Sequence, residues 1–348
     1  MLDDRIRVLT KSTLFLVQVV GIFALANCIS PRPAEACKPK VATILDGLTE
    51  PRGLTLGPDG SLYVAETGTI ESGGRVVRMD SGGAVSTFSS GFSVFLHSLE
   101  ERVGISGLAF RGDDLYAVLG EGLKTPASAL VLIKPDDGPR VVADLLGFAR
   151  SRHPLGSIAP NPSPPIVSNP FAVVFATDRD VFYVVDSAAN DVVSISPSGL
   201  IEEVHAWDNN PVPTGITIGP AGNLYVALFS PIPYAIGSGS IVKLARDGAV
   251  TTVVSDLTTP IGVAFDSDET MYVLEFSQGF DSESTELFTP NSGRLLRISG
   301  DRRHVVLDGL AFPTALLITP SDDVYISHRG GISSPGTGEV ARVQPCPV

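Results

Sequence analysis

The feature that most constrains the fold is a pattern that occurs six times along the chain. In each copy a Gly or Ala opens an apolar strand, a tight polar turn follows, and the next strand carries a Tyr between apolar residues, as in PRGLTLGPDGSLYVAE at residues 51–66. Six of the seven tyrosines occupy the same place in this pattern, at separations of 53, 67, 42, 47 and 53 residues: Tyr63, Tyr116, Tyr183, Tyr225, Tyr272 and Tyr325. A strand-built period of this size is typical of a β-propeller or a related repeat array.

Each copy of the pattern continues with two further strands. A Gly-initiated segment such as GSIVKLAR comes first, and an outer segment such as AVTTVVS follows it. Apolar and polar residues alternate in these segments with the period of two that half-buried strands show. The sequence therefore predicts an all-β fold, a six-bladed β-propeller with four antiparallel strands per blade. The 348 residues would otherwise suggest two or three domains, but here they predict one propeller domain at 37–348 after a leader at 1–36.

The strand count leaves one strand over at each end of the repeat array. Residues 41–45 have the pattern of an outer strand ahead of any inner strand, and the last segment, GEVARV at 338–343, has no outer strand after it. Pairing these two strands closes the ring and removes both sheet edges, which an open array would expose. We therefore expect the strand at 41–45 to complete the last blade.

This closure has a consequence for the cysteines. If the two strands pair antiparallel with Val41 near Val343, Cys37 falls close to Cys346, and a disulfide between them is geometrically plausible in an oxidising compartment. The alternatives are that both thiols are free or that Cys28 takes part.

The N-terminus has the form of an export signal. Three basic residues, Arg5, Arg7 and Lys11, precede an uncharged apolar run at 14–26, which corresponds to an n-region followed by an h-region. At 13 residues this run is short for a membrane span, which needs about 20. We expect a secreted, extracellular or periplasmic protein that contacts a membrane, if at all, only through this segment.

Three outcomes for the leader remain open. Residues 34–36 (AEA) have the small-x-small form of a cleavage site before Cys37, whereas residues 25–28 (LANC) resemble a bacterial lipobox with Cys28 as the lipidated residue. The third possibility is an uncleaved anchor.

Charge and motifs narrow the function classes. A formal net charge of -13 and a pI near 4.8 repel phosphate backbones and anionic headgroups, so nucleic acid is not an expected partner. The chain contains no G-x-S-x-G elbow, H-E-x-x-H pair, Walker loop or dinucleotide fingerprint. The partners we expect are a small molecule, a glycan or a protein, bound by a monomer.

Two segments resemble known repeat families. The run P-x-G-(apolar)-x-(apolar)-x-P-D-G-x-(apolar)-Tyr-Val-x-(acid), at residues 51–66, resembles the NHL repeat. Combined with the export signal, the segment NPFAVVFATDRDVFYVVDSAANDVVSISPSG at 169–199 is similar to the ScyD/ScyE family of exported six-bladed propellers. The resemblance spans about residues 41–345 and implies the fold and export, but no established reaction. The second blade departs from the pattern, because no Pro precedes its Gly107 strand.

Strand direction predicts where a site lies. In an antiparallel blade, the turns between strands one and two and between strands three and four lie on one face, and here they are short, as in GPDG and ARDG. The opposite face receives the long connections, such as residues 276–293, together with the start of every inner strand and the end of every Tyr strand. Long loops are usually functional. We therefore predict a ligand site at the mouth of the central channel on this loop-rich face. Its candidate residues are Glu50, Arg52, Glu66, Asn169, Asp186, Thr214, Glu275, Thr314 and His328.

The candidates also have a structural interpretation. An acid three residues after the Tyr, as at Glu66, Asp186 and Glu275, can accept hydrogen bonds from backbone amides of the next turn. Arg52 can contact an anion in the channel mouth or pair with Glu50 or Glu66. His328 breaks the acidic pattern and can serve a ligand or metal, or a structural role.

A catalytic alternative follows from a second resemblance. Gluconolactonase-like hydrolases share this fold and hold a divalent cation with Glu and Asn or Asp at the starts of inner strands. Glu50 and Asn169 occupy such places, but Thr214 and Thr259 stand where further carboxylate or amide ligands are expected. The leading hypothesis is thus a non-catalytic ligand- or partner-binding scaffold. The alternative is a metal-dependent lactonase-like hydrolase or lyase with a cation such as Ca²⁺ in the channel mouth.

Overall fold

A computed structural model describes residues 37–97, 101–135, 137–152, 168–281, 283 and 287–346. Over these residues, 24 strands form six four-stranded antiparallel sheets. The sheets are arranged as a six-bladed β-propeller, which confirms the predicted fold. The predicted leader, with Cys28 and both processing sites, lies outside the described residues.

The blades follow one another along the chain, after a first strand β1 (Lys40–Leu48). Blade 1 comprises β2 (Pro51–Leu56), β3 (Leu62–Thr69), β4 (Gly73–Met79) and β5 (Val85–Phe92), followed by a hairpin of β6 (Phe95–Leu96) and β7 (Arg102–Val103). Blade 2 comprises β8 (Ile105–Arg111), β9 (Asp114–Leu119), β10 (Ala129–Ile133) and β11 (Arg140–Asp144), followed by helix α1 (Leu145–Arg152). Blade 3 comprises β12 (Pro170–Ala176), β13 (Val181–Asp186), β14 (Asp191–Ile195) and β15 (Ile201–Ala206). Blade 4 comprises β16 (Pro213–Ile218), a 3₁₀ turn (Pro220–Gly222), β17 (Leu224–Leu228), β18 (Gly239–Leu244) and β19 (Val250–Leu257). Blade 5 comprises β20 (Pro260–Phe265), β21 (Met271–Glu275), β22 (Gly293–Ser299) and β23 (Arg302–Leu310). Blade 6 comprises β24 (Ala315–Ile318), β25 (Val324–His328) and β26 (Gly338–Gln344).

Strand β1 completes blade 6, as the sequence predicts. It pairs antiparallel with β26 in the order β1-β26-β25-β24, and Val41 stands opposite Val343. The strand is longer than predicted, running to Leu48 through two irregularities in its register. Cys37 and Cys346 are joined by the predicted disulfide.

The recurring Gly and Tyr have separate packing roles. Inner strands of adjacent blades approach so closely that a Cβ on Gly107 would lie 2.8 Å from the amide nitrogen of Val173, which only glycine avoids. Five of the six Tyr rings are buried, and those of Tyr63 and Tyr225 contact a Phe of the next blade's inner strand. The ring centroids of Tyr63 and Phe110 are 5.0 Å apart in a T-shaped arrangement. The repeat therefore encodes the contact between blades as well as the blade.

The long connections contain structure that the repeat did not predict. Helix α1 follows blade 2 directly, and the Asp144 carboxylate caps it by accepting the amide hydrogen of Gly147 at 2.9 Å. The β6–β7 hairpin lies between blades 1 and 2. In the described part of the chain, no helix is long and apolar enough to cross a membrane.

Candidate functional site

The central channel is built from the six inner-strand segments alone. A cavity of about 500 Å³ runs along it, lined by residues 52–56, 107–110, 171–175, 214–218, 261–265 and 314–318. Arg52 is the only charged residue among the lining residues that the structure describes. The channel itself therefore offers few groups for acid–base chemistry or metal binding.

Side chains at one equivalent position alternate around the loop-rich end of the channel. Blades 2, 4 and 6 carry the hydroxyl residues Ser106, Thr214 and Thr314, whereas blades 1, 3 and 5 carry larger side chains, Arg52, Phe171 and Ile261. Each hydroxyl donates to the carbonyl oxygen at the start of the next blade's inner strand: Ser106 to Pro170 at 3.1 Å, Thr214 to Pro260 at 3.0 Å and Thr314 to Pro51 at 2.7 Å. These hydroxyls thus join the blades in pairs.

Arg52 lies in a buried cluster of four charges. Its side chain is 7 % exposed and donates to the Glu101 carboxylate at 2.9 Å and to the Arg102 carbonyl oxygen at 2.8 Å. Glu50 is fully buried, 3.6 Å from Arg52, and accepts from Arg102 at 2.6 Å. Burial raises the pKa of Glu50, and the two guanidinium groups oppose that rise. Arg52 therefore forms the predicted ion pair with Glu50, but its hydrogen-bonded carboxylate is Glu101, which was not predicted, and Glu66 pairs with Arg75 instead.

In four of the six blades, the side chain three positions after the Tyr accepts a backbone amide hydrogen from a residue that precedes the inner strand. We call these contacts latches. Glu66 accepts the amide hydrogen of Thr49 at 2.9 Å, and Glu275 accepts that of Thr258 at 2.7 Å. Asp186 accepts the Asn169 amide at 2.7 Å, along with the amides of the turn that follows it. Each latch ties the end of a Tyr strand to the residues just before the adjacent inner strand.

His328 performs the same task with a different atom. Its Nε2 accepts the amide hydrogen of Ala311, two residues before Pro313, at 2.8 Å. This requires the neutral ring, and burial lowers the pKa of His328, with Glu339 opposing and Arg329 reinforcing the effect. Blade 4 has Leu228 at this position and Pro211 two residues before Pro213. Because Pro211 has no amide hydrogen, blade 4 needs no acceptor.

A second residue matches each latch across the sheet. Glu66 and Glu275 face arginines, His328 faces a glutamate, and Asp186 faces another aspartate; the opposite residues are Arg75, Arg294, Glu339 and Asp191. Glu66 binds Arg75 at 2.6 Å, and Glu275 binds Arg294 at 2.6 Å. In the acid–acid pair the two side chains repel each other when both are charged, and burial and the charge of Asp186 raise the pKa of Asp191 to about 8.

The loops build a second, smaller cavity at the channel mouth. It has a volume of about 120 Å³. Its polar lining residues are Arg52, Glu101, Asn169, Ser187, Thr214 and Thr314, and Phe171 lies beside Arg52. Four further aromatic residues, which we call the aromatic wall, also line it: Phe229, Tyr234, Phe276 and Phe288. We call this space the mouth cavity.

The aromatic wall is a continuous cluster. Ring centroids are 5.3 Å apart for Phe229 and Tyr234, 5.4 Å for Tyr234 and Phe288, and 5.2 Å for Phe288 and Phe276. Burial and the nearby charge of Glu101 raise the pKa of Tyr234 to about 12, so its phenol is neutral and can donate a hydrogen bond. The mouth cavity thus combines flat apolar surfaces with acceptors and a donor.

The nine predicted residues all lie toward the loop-rich face, but they divide into two groups. Arg52, Asn169, Thr214 and Thr314 line the mouth cavity. The others make intrachain contacts: Glu50 in the charge cluster, and Glu66, Asp186, Glu275 and His328 in the latches. The sequence analysis did not single out Glu101, Phe229, Tyr234, Phe276 and Phe288. Their location in the long connections was the available signal.

The donors do not fit a divalent cation. Glu50 is occupied by two arginines, and the side-chain oxygen of Asn169 accepts the amide hydrogen of Glu121 at 3.3 Å. Within the ranges that the structure describes, no three His, Cys, Asp or Glu side chains converge on a point suited to a metal ion.

Comparison with known proteins supports the fold. No family model and no curated protein matches the chain. Similar solved structures include a protein assigned as an oxidoreductase (glucose dehydrogenase) from Thermus thermophilus, at 17 % identity over 88 % of this chain and 100 % of that one, with a TM-score of 0.61. A gluconolactonase from Xanthomonas campestris has 14 % identity over 89 % and 90 % of the two chains, with a TM-score of 0.57. Virginiamycin B lyase from Staphylococcus aureus has 12 % identity over 89 % and 99 %, with a TM-score of 0.52. At these identities the likeness establishes a six-bladed propeller and no activity.

Proposed function

We propose that this chain is an exported, non-catalytic propeller of the ScyD/ScyE type that binds a small hydroxylated ring, such as the terminal unit of a glycan, in the mouth cavity. The observation that carries the proposal is that a contiguous aromatic cluster and several polar side chains line the same small cavity. Concave sites with apolar walls and a few oriented polar groups are the usual form of small-molecule sites.

The polar atoms that line the mouth cavity suit the hydroxyl groups of a ligand. Glu101 is one-third exposed and offers carboxylate oxygens, while Asn169 and the phenol of Tyr234 add an amide and a hydroxyl. Glu101 is held in place by its 2.9 Å contact with Arg52, so its orientation is fixed before a ligand arrives. The apolar face of a ring can then pack on Phe276 and Phe288.

The volume supports a small occupant. About 120 Å³ is well below the roughly 300–1,000 Å³ typical of sites for drug-sized ligands. One ring, or the end of a longer chain that continues into solvent, matches this size better than a large substrate does.

Export is part of the proposal and has its own support. The disulfide between Cys37 and Cys346 would be kept in an oxidising compartment and reduced in the cytosol. The basic and apolar N-terminal segment agrees with that compartment.

Lactonase-like hydrolysis and a lyase reaction are the catalytic alternatives. They draw on the descriptions of structural neighbours, which name a gluconolactonase and a virginiamycin B lyase. The carboxylates nearest the mouth cavity, Glu50 and Glu101, are engaged by Arg52 and Arg102 rather than directed at a common ion. This arrangement favours binding over metal-assisted hydrolysis.

The test is binding by the purified mature protein to an array of glycans, followed by calorimetry with the best ligand. Tyr234→Phe removes only the hydroxyl and should weaken binding about fivefold or more. Tyr225→Phe is the matched control, because it also removes one phenol hydroxyl but from a tyrosine that does not line the mouth cavity, and it should leave affinity within about twofold. Metal analysis of the same preparation should find no stoichiometric divalent cation. Binding that is insensitive to Tyr234→Phe, or lactone turnover with a stoichiometric metal, would overturn the proposal.

A further inference from the structure

A third cavity lies on the loop-rich face and shares no residue with the mouth cavity. It has a volume of about 210 Å³ and is formed by the β6–β7 hairpin region at 93–96 and the loop at 119–127, with Ile70 and Gly104. We call it the side groove. None of the contacts argued above for the mouth cavity uses it, so the following inference does not depend on the proposed function.

The rim of the side groove is apolar and exposed. Ile70 is 58 % exposed, Leu96 46 % and Leu123 79 %, and all three line the groove. Single exposed apolar residues are ordinary, but three around one concave space form a contiguous surface of the kind that marks a binding site.

A buried carboxylate lies inside this apolar rim. Glu121 lines the groove and is 6 % exposed. Its ion-pair neighbour is His97, whose Nε2 lies 3.6 Å from a carboxylate oxygen. Lys124 also lines the groove, but its side chain is exposed and no ion pair joins it to Glu121 in the described part of the chain. Burial, together with the charges of Glu101 and Asp186, raises the pKa of Glu121 to about 7.

The backbone holds Glu121 at this place. Its amide donates to the side-chain oxygen of Asn169 at 3.3 Å, and the flanking Gly120 amide donates to the carbonyl oxygen of Gly104 at 2.8 Å. A carboxylate fixed in an apolar surrounding without a strong cation partner is costly, because burial disfavours its charged form. A ligand cation that reached it would remove that cost.

We propose that the side groove binds a small primary alkylamine, with its ammonium group on Glu121 and its alkyl chain against Ile70, Leu96 and Leu123. The charge of the carboxylate selects a cation, and the apolar rim selects an alkyl body. The volume of about 210 Å³ restricts the occupant to a small molecule rather than a folded partner.

The probe is n-hexylammonium, titrated into the mature protein by calorimetry and compared with hexan-1-ol and hexanoate. Hexylammonium should bind at least tenfold more tightly than hexan-1-ol, and hexanoate should not bind. Affinity across the series from ethylammonium to hexylammonium should rise about twofold to fourfold per methylene, because each buried CH₂ contributes favourable transfer free energy.

Variants separate direct contact from overall charge. Glu121→Gln keeps the side-chain size and should lower hexylammonium affinity at least tenfold. Glu71→Gln is the matched control, since Glu71 is an exposed carboxylate beside Ile70 that does not line the groove, and it should change affinity less than twofold. Leu123→Ala should reduce the gain per methylene and leave methylammonium binding unchanged.

Two results would overturn the proposal. The first is that hexan-1-ol binds the unmodified protein as tightly as hexylammonium does. This comparison requires no variant, so it does not depend on a variant folding. The other is equal hexylammonium affinity in Glu121→Gln and Glu71→Gln. Failure of glycan binding at the mouth cavity would leave this result untouched, because the two sites are tested with different ligands and different residues.

Discussion

His328 allows a sensitive test of the latches, because protonation removes its acceptor atom. The Nε2 atom accepts the Ala311 amide at 2.8 Å, and burial lowers the pKa of the ring below its ordinary value. A base whose pKa is lower in the folded state contributes its full stability above the unfolded pKa, about 6.5, and loses that contribution as the pH falls through the folded value. We therefore expect this contribution to decline below about pH 6.5.

The size of the decline follows from proton linkage. One proton over one pH unit corresponds to about 1.4 kcal/mol, so the loss between pH 6.5 and pH 5 is at most about 2 kcal/mol. For a propeller of about 310 residues, the unfolding entropy near the melting temperature is about 0.65 kcal/mol/K. The loss therefore corresponds to a decrease in Tm of up to about 3 °C.

The assay compares the Tm of the unmodified protein and His328→Gln by calorimetry from pH 8 to pH 5. The Gln carbonyl can accept the Ala311 amide without titrating, so the two proteins should differ by less than about 1 kcal/mol at pH 8. Relative to the unmodified protein, the variant should gain up to about 3 °C at pH 5. His304→Gln, at an exposed position on β23, is the control for replacing a histidine that forms no latch. A pH-independent difference for His328→Gln would refute the latch argument.

Three further predictions concern the disulfide that closes the ring, the Asp186–Asp191 pair and the hydroxyl side chains that join the blades. Non-reducing peptide mapping should show Cys37 linked to Cys346, and Cys346→Ser should lower the free energy of unfolding by up to about 5 kcal/mol, since the bond closes most of the chain; an unchanged urea midpoint would contradict this. The raised pKa of Asp191 means that its stabilising contribution is present below about pH 4 and is lost as the pH rises to about 8. Asp191→Asn should therefore raise the urea midpoint more at pH 9 than at pH 4, and a constant difference would argue against it. Thr314→Val removes the 2.7 Å bond to the Pro51 carbonyl and should cost about 1–3 kcal/mol in urea unfolding, whereas a cost below about 0.5 kcal/mol would show that the bond is unimportant.

The propeller fold could be predicted from the sequence because the same strand pattern repeats along the chain. Six tyrosines in one phase predict the number of blades, and the unmatched strand at 41–45 predicts how the ring closes. The register with Val41 opposite Val343 was an assumption of the sequence argument, and the structure has it. Each of these signals is local, and repetition makes it reliable.

The latches were partly readable. The acids after the Tyr strands were expected to accept amides of the next turn, and Asp186 does so from Ala188 and Ala189. Glu66 and Glu275 also accept backbone amides, but from residues that precede the inner strand. Their cross-strand partners could have been found by aligning the residue that opens the third strand of each blade, where Arg75 and Arg294 face acids and Glu339 faces a histidine. This comparison would have favoured the structural role of His328.

The mouth cavity was not readable in the same way. Its aromatic wall comes from loops of unequal length, so Phe229, Tyr234 and Phe288 hold no common place in the repeat. Glu101 lies in the connection after blade 1 and meets Arg52 only through tertiary folding. Sequence periodicity cannot predict contacts between non-repeating segments.

The pairing of β1 with β26 means that the last blade cannot be completed until the whole propeller has been synthesised. Among the propeller strands, β1 leaves the ribosome first, yet its partner β26 leaves last. Until then, the nascent chain has an unpaired strand, β1, at one end and an exposed sheet edge at the other, and either can pair with strands of other molecules. A premature stop that removed only the residues from Gly338 onward would leave this seam open, and would be more damaging than the number of lost residues suggests.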